Sequence, residues 1–163
     1  AVIATDIPAE EQGTGMLFNM DGEVVGMISS SVWNDTGKNV VNAYGISDLK
    51  PIIELLINGK SVPYIGIYGT TVTEQLAEEH KMPSGIYVAD VDPDSPAMAA
   101  GIQIGDIICE ASGEEIKDIA AYQNIVIGSS VGETMEFVGK RLGSDGYVNI
   151  KFSVVTTEKE EVK

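Results

Sequence analysis

The stretch that decides the fold is VDPDSPAMAAGIQIGDII, residues 91–108. Ser95 stands directly before Pro96, and this pair predicts a capped helical turn because proline fits the first helical position. Gly101 is the residue type that ends helices. The apolar residues 107–111 follow and predict a strand. A short capped turn between strands indicates a domain that mixes strands with small helices.

The sequence around this stretch predicts more short strands and two further helices. Gly66 interrupts a strand at its start, and Thr73 and Asp118 begin the helices. Predicted strands cover residues 64–69, 86–91, 134–141 and 147–155, and predicted helices cover 74–80 and 118–127. This pattern predicts a mainly β, α+β fold with two or three helices, forming a small, partly open β-barrel.

Residues 1–60 have a different organisation. A hairpin is predicted over residues 16–32 because Asp21-Gly22 lies between apolar runs. A strand is predicted at 40–46, and a helix at 48–58 that is capped by Ser47 or Asp48, with Pro51 in its first turn. The domains predicted are residues 1–60, residues 61–157, and a flexible tail at 158–163, with fraying from residue 156.

Composition excludes several classes of function. The chain has 163 residues, a formal net charge of −15, and 44% hydrophobic residues. Such an acidic chain is not expected to bind nucleic acid or anionic membranes, because those partners require clustered lysine and arginine. No apolar run is long enough to span a bilayer. Cys109 and His80 are the only residues of their types, so no metal site or cofactor is expected.

Residues 64–67, Tyr-Ile-Gly-Ile, are the candidate binding loop. A glycine turn here can direct successive N–H groups at one anion, and the next strand can accept an added peptide strand. Tyr122 and Val126 share one helix face and would form the opposite wall. The alternative is a simple strand-initiating turn beside a helix that faces the core.

Residues from Tyr64 to about Val155 resemble the PDZ domain of HtrA/DegP serine proteases. The resemblance is carried by YIGI at 64–67, GIYV at 85–88, residues 91–97, AGI at 100–102 and GDII at 105–108. It implies capture of C-terminal peptides or unfolded protein segments. The residues implied for the carboxylate are Tyr64, Ile65, Gly66 and Ile67; those for the peptide groove are Tyr68, Tyr122 and Val126.

Residues 1–60 resemble the C-terminal strands and helix of the trypsin-like β-barrel in the same family. The family motif GNSGGP corresponds to EQGTGM at residues 11–16, which places Gly13 where the nucleophilic serine is expected. Its His and Asp partners would precede residue 1, since they come first in this chain order. We therefore expect this chain not to be a peptidase, and the parent to be a degenerate protease.

Two alternatives stay open. In the first, the nucleophile is misaligned and is Ser29, Ser30 or Ser31, so that the parent is an active endopeptidase. In the second, the chain is an assembly module that forms a homo-oligomer without capturing peptides. The resemblance also implies an extracytoplasmic location with an upstream tether. The missing initiator Met leads us to expect that Ala1 follows a cut inside a longer protein.

Overall fold

The computed structural model describes residues 2–8, 14–29 and 40–158. The chain divides into two compact units, residues 1–58 (unit 1) and 59–163 (unit 2). This division falls two residues before the boundary expected from the sequence. In the described ranges, no helix is both long enough and apolar enough to cross a membrane.

Unit 1 contains a four-stranded antiparallel sheet. Its strands are β1 (Val2–Pro8), β2 (Gly15–Phe18), β3 (Val24–Ile28) and β4 (Val40–Gly45), in the order β1-β4-β3-β2. The Asp21-Gly22 hairpin is confirmed, because Gly22 turns the chain with a φ of 81°. The sequence did not predict β1. The return strand also ends at Ile28, and residues 30–32 lie outside the described part of the chain.

Helix α1 (Ile46–Ile57) begins earlier than predicted. Its N-cap is Gly45, which makes no side-chain cap, so the expected Ser47 or Asp48 cap is wrong. Pro51 consequently lies inside the helix and not in its first turn. The helix contacts β3 and β4, which covers part of the apolar sheet, whereas Phe18 stays 60% exposed.

Unit 2 is built on a six-stranded antiparallel sheet. Its path is β11-β10-β8-β7-β6, β9 pairs with β8, and β12 pairs with β5 in a separate ladder. The strands are β5 (Pro63–Tyr64), β6 (Ile67–Val72), β7 (Gly85–Val91), β8 (Ile107–Ala111), β9 (Glu114–Glu115), β10 (Thr134–Gly143), β11 (Gly146–Val155) and β12 (Thr157–Glu158). The helices are α2 (Glu74–His80), α3 (Pro96–Ala99) and α4 (Ile119–Gly128).

The mainly β fold is confirmed. The described residues form four helices, against the two or three predicted, when the single turn α3 is counted as a helix. The predicted caps are confirmed too: Ser95, Thr73 and Asp118 accept hydrogen bonds from amides in the first turns of α3, α2 and α4. The apolar core of unit 2 contains residues from its strands and its helices. Its fully buried side chains include Phe137, Met135, Val154, Ile86 and Ile108.

The frayed tail predicted from residue 156 is wrong for the residues described. Thr156 is buried and donates a hydrogen bond of 2.6 Å to the carbonyl of Ser130. Thr157 and Glu158 then pair with Tyr64 and Pro63. The polar composition of this segment does not predict a strand, and the strand with which it pairs lies more than ninety residues earlier in the chain. Residues 159–163 lie outside the described part.

An ion pair between a buried aspartate and a partly exposed arginine links the segment after α3 to β10. Asp106 is fully buried, and its two carboxylate oxygens accept from Nε and Nη2 of Arg141 at 2.6 and 2.7 Å. The amide of Gln103 donates to Asp106 at 2.9 Å, and Nη2 of Arg141 also donates to the carbonyl of Gly101. This bidentate pairing fixes the stretch that decides the fold.

Candidate functional site

The loop between β5 and β6 requires a glycine at position 66. Gly66 has a φ of 85°, which side-chain-bearing residues rarely adopt. A Cβ at this position would lie 2.3 Å from Cβ of Ser95 and 2.8 Å from the hydroxyl oxygen of Tyr64. The loop is therefore pressed closely against the start of α3.

The carbonyl groups of this loop point toward the protein. The amide of Ala97 donates to the carbonyl of Ile65 at 2.9 Å, and the amide of Asp92 donates to the carbonyl of Gly66 at the same distance. In a trans peptide the N–H points opposite to the C=O. The amides of Gly66 and Ile67 are thus directed away from residues 92–97, as an anion-binding nest requires.

Strand β6 follows this loop and is the terminal strand of the six-stranded sheet. One of its edges therefore makes no ladder within the sheet. Helix α4 contacts β6, and the amide of Ile119 donates to the hydroxyl oxygen of Thr71 at 3.1 Å. The strand and the helix are the two elements that the sequence assigned to the groove walls.

Four of the predicted site residues come together in the core beside this edge. Ile65, Ile67, Tyr122 and Val126 are buried in one apolar cluster, each 8% exposed or less. Burial raises the pKa of Tyr122, because its charged phenolate would lose hydration. The two helix residues therefore belong to the same buried apolar cluster as Ile65 and Ile67.

Tyr68 does not join this cluster, although the sequence assigned it to the groove with Tyr122 and Val126. Successive side chains of a strand point to opposite faces, and Tyr68 is 44% exposed. Its hydroxyl donates to Oδ2 of Asp92 at 2.8 Å. Tyr68 therefore lies outside the buried cluster, and its assignment to the peptide groove stays a prediction.

Asp92 is a site residue that the sequence interpretation missed. Tyr64 also donates to Oδ2 of Asp92, so one carboxylate oxygen serves two phenols while the Asp92 amide anchors the loop. The pKa of Tyr64 is raised, first by burial and then by this hydrogen bond and the negative charge. Asp92 belongs to the decisive stretch, but no local pattern reveals a partner twenty-four residues away.

A cleft of about 1030 Å³ lies next to the loop. Tyr64, Asp92, Ser95, Val155 and Glu158 are among the residues that line it. The cleft contains no residue of α4 among its described lining residues, so it is distinct from the predicted groove between β6 and α4.

Other sequence candidates lie away from this loop. His80 is the exposed last residue of α2, and Cys109 is half-buried on β8, where burial raises the pKa of its thiol. Among the described residues, no cluster of His, Cys, Asp or Glu could hold a metal ion. Gly13, Ser30 and Ser31 lie outside the described residues.

Comparison with known proteins agrees with this geometry. The family model described as a PDZ domain matches residues 87–141. A probable periplasmic serine endoprotease, DegP-like, from Halomonas elongata is 30% identical over 91% of this chain and 32% of its own length. A serine protease Do-like HtrA from Bacillus subtilis is 30% identical over 98% of the chain and 38% of its own length.

A solved structure of the HtrA-type protease AlgW with a decapeptide has the same fold. Its TM-score is 0.57, at 20% identity, over 86% of this chain and 44% of the other. The family model identifies a PDZ domain within unit 2, over residues 87–141. The chain as a whole is homologous to the HtrA/DegP serine proteases. It spans about a third of the length of the curated relatives it matches.

Proposed function

We propose that unit 2 captures the C-terminal end of a peptide or an unfolded protein segment by adding it as a strand to β6. The observation that carries this proposal is the orientation of the loop. Its carbonyls are held by Asp92 and Ala97, so the amides of Gly66 and Ile67 point outward at the start of an edge strand. A carboxylate at this point accepts from backbone donors without needing a lysine or arginine.

The apolar cluster at the loop defines which tails fit. With its carboxylate at the loop, a peptide running antiparallel to β6 directs its last side chain toward Ile67, Tyr122 and Val126. These side chains are apolar or hold a buried phenol, so an apolar last residue is favoured and a charged one is not. Tyr64 and Ile65 support the loop, through the Asp92 contact and through core packing.

Weak binding is expected, because a short disordered tail loses conformational freedom when it docks. A Kd of about micromolar order or weaker fits a short peptide held mainly by backbone bonds. Residues 61–163 carry seventeen acidic and seven basic side chains. Acidic tails are therefore disfavoured, and neutral or basic ones are favoured at low salt.

Calorimetric titration of the full chain tests carboxylate capture. One short peptide with an apolar last residue is used in two forms, with a free C-terminus and with a C-terminal amide. We expect the free form to bind and the amide to bind at least about tenfold more weakly, since the amide lacks the charge that the nest receives. Equal affinities would contradict the proposal.

Two variants locate the binding site. Val126→Ala shortens the apolar wall and is expected to weaken binding of a peptide with a large last residue by about three- to tenfold. Val148→Ala removes the same atoms from β11, at the other edge of the sheet, where Val148 is 53% exposed. This matched control is expected to bind as the unmodified chain does. The same loss in both variants would place the site elsewhere.

For the chain itself we propose no peptidase activity, since Gly13 occupies the position that matches the family serine and offers no nucleophile. The relatives are named periplasmic serine endoproteases, and this supports an extracytoplasmic location for the parent. We propose in addition that an upstream segment tethers the parent. Hydrolysis of an unfolded protein by the full-length parent, blocked by a serine-directed phosphonate, would instead support an active protease.

A further inference from the structure

The outer side of β6 is available to a different side chain of the same peptide. Ile67 points into the apolar cluster and Tyr68 points to the opposite face. Residues opposite each other in an antiparallel pair share a face, so an added strand alternates in the same way. The last side chain therefore faces Ile67, and the penultimate side chain lies on the face of Tyr68.

Tyr68 holds a fixed position on this face. Its hydroxyl donates to Asp92, which directs the ring back toward the carboxylate-binding loop. Asp90 is the cross-strand neighbour of Tyr68 and is exposed. The penultimate side chain would thus contact the ring of Tyr68. The carboxylate of Asp90 lies on the adjoining strand, and that of Asp92 lies at the hydroxyl end of the ring.

We propose that Tyr68 is the specificity-determining residue for the penultimate position and selects a basic side chain, arginine above lysine. This rests on the function proposed above. A planar guanidinium stacks on a tyrosine ring and is more weakly hydrated than an ammonium group. The charges of Asp90 and Asp92 add attraction on the same face, whereas a glutamate there would be repelled.

The test uses the full chain and peptides that are identical except at the penultimate residue, which is Arg, Gln or Glu. All have a free C-terminus and the same apolar last residue. At about 20 mM salt, where screening is weak, we expect the Arg peptide to bind about three- to tenfold more tightly than the Gln peptide. The Glu peptide is expected to bind most weakly.

Variants assign this preference to the outer face. Tyr68→Thr keeps a strand-forming residue and is expected to reduce the Arg-to-Gln affinity ratio to below about twofold. Asp90→Asn is expected to reduce the ratio in part. Asp145→Asn makes the same charge change in the hairpin between β10 and β11, away from β6, and is expected to leave the ratio unchanged. A ratio of two affinities on one variant cancels any general loss of binding.

The outcomes separate this proposal from the one on which it depends. Free-carboxylate peptides that bind equally well with Arg and Gln would overturn the specificity role of Tyr68 and leave carboxylate capture intact. A preference for Arg that persists in Tyr68→Thr would also overturn it. Failure of every free-carboxylate peptide to bind would overturn both proposals.

Discussion

Replacing Gly66 with alanine tests whether the binding loop depends on close packing against α3. Gly66 has a φ of 85°, and a Cβ there would lie 2.3 Å from Cβ of Ser95. Ser95 caps α3, so its Cβ is attached to backbone that cannot easily move. Gly101→Ala is the matched control, because Gly101 has a φ of 88° and nothing within 4 Å of its Cβ position.

The two substitutions differ in one contribution to the loss of free energy of unfolding, which is the steric clash. Both force alanine into a left-handed backbone, which costs about 1–2 kcal/mol. Gly66→Ala adds overpacking of about 1–3 kcal/mol, because the clash is with fixed atoms. We therefore expect Gly66→Ala to lower the free energy of unfolding by about 2–5 kcal/mol and Gly101→Ala by about 1–2 kcal/mol.

Urea denaturation of both variants measures these differences, and titration with the free-carboxylate peptide measures binding under conditions where each variant is folded. Gly66→Ala is expected to abolish detectable binding because the outward amides shift, whereas Gly101→Ala retains it. Equal destabilisation by the two variants, or unchanged peptide affinity in a folded Gly66→Ala chain, would refute the packing argument.

Two further predictions concern stability. Asp106→Asn should lower the free energy of unfolding, measured by urea denaturation, by about 2–3 kcal/mol, because it removes the charged partner of Arg141. In this pair Asp106 is fully buried and Arg141 is one-third exposed. A loss below about 0.5 kcal/mol would show that the pair is dispensable. The pKa values of Tyr64 and Tyr122 are raised, so the folded state holds their phenol protons more tightly than the unfolded state does. Their contribution to the free energy of unfolding is therefore complete below about pH 10 and decreases as the pH rises above it. Urea midpoints at about pH 8 and pH 11 should show this decrease, and Tyr122→Phe should reduce it; identical decreases in both proteins would exclude Tyr122 as a contributor.

Local signals in the sequence predict local structure well in this chain. Ser95 before Pro96 predicts α3, and Asp21-Gly22 predicts the first hairpin, because each signal is a short-range backbone or capping preference. The loop at residues 64–67 and the α4 residues Tyr122 and Val126 could be proposed from the spacing and the resemblance. Their roles in peptide capture stay predictions.

The features missed by the sequence interpretation are long-range pairings. Strand β1 pairs with β4, and β12 pairs with β5. The hydrogen bond from Tyr68 to Asp92 joins β6 to the residue that follows β7. Asp106 and Arg141 meet across thirty-five residues. Such contacts depend on the folded topology, which no single stretch of residues specifies.

The most direct test of carboxylate capture is to follow the backbone amide resonances of Gly66 and Ile67 in the ¹⁵N-labelled full chain. Peptide is added with a free C-terminus and, separately, as the C-terminal amide. We predict that the free form produces its largest chemical shift changes at these two amides and along β6, and that the amide form leaves Gly66 and Ile67 little changed. Shift changes at these amides that are the same for both forms, or absent while the free form binds, would contradict capture of the carboxylate by this loop.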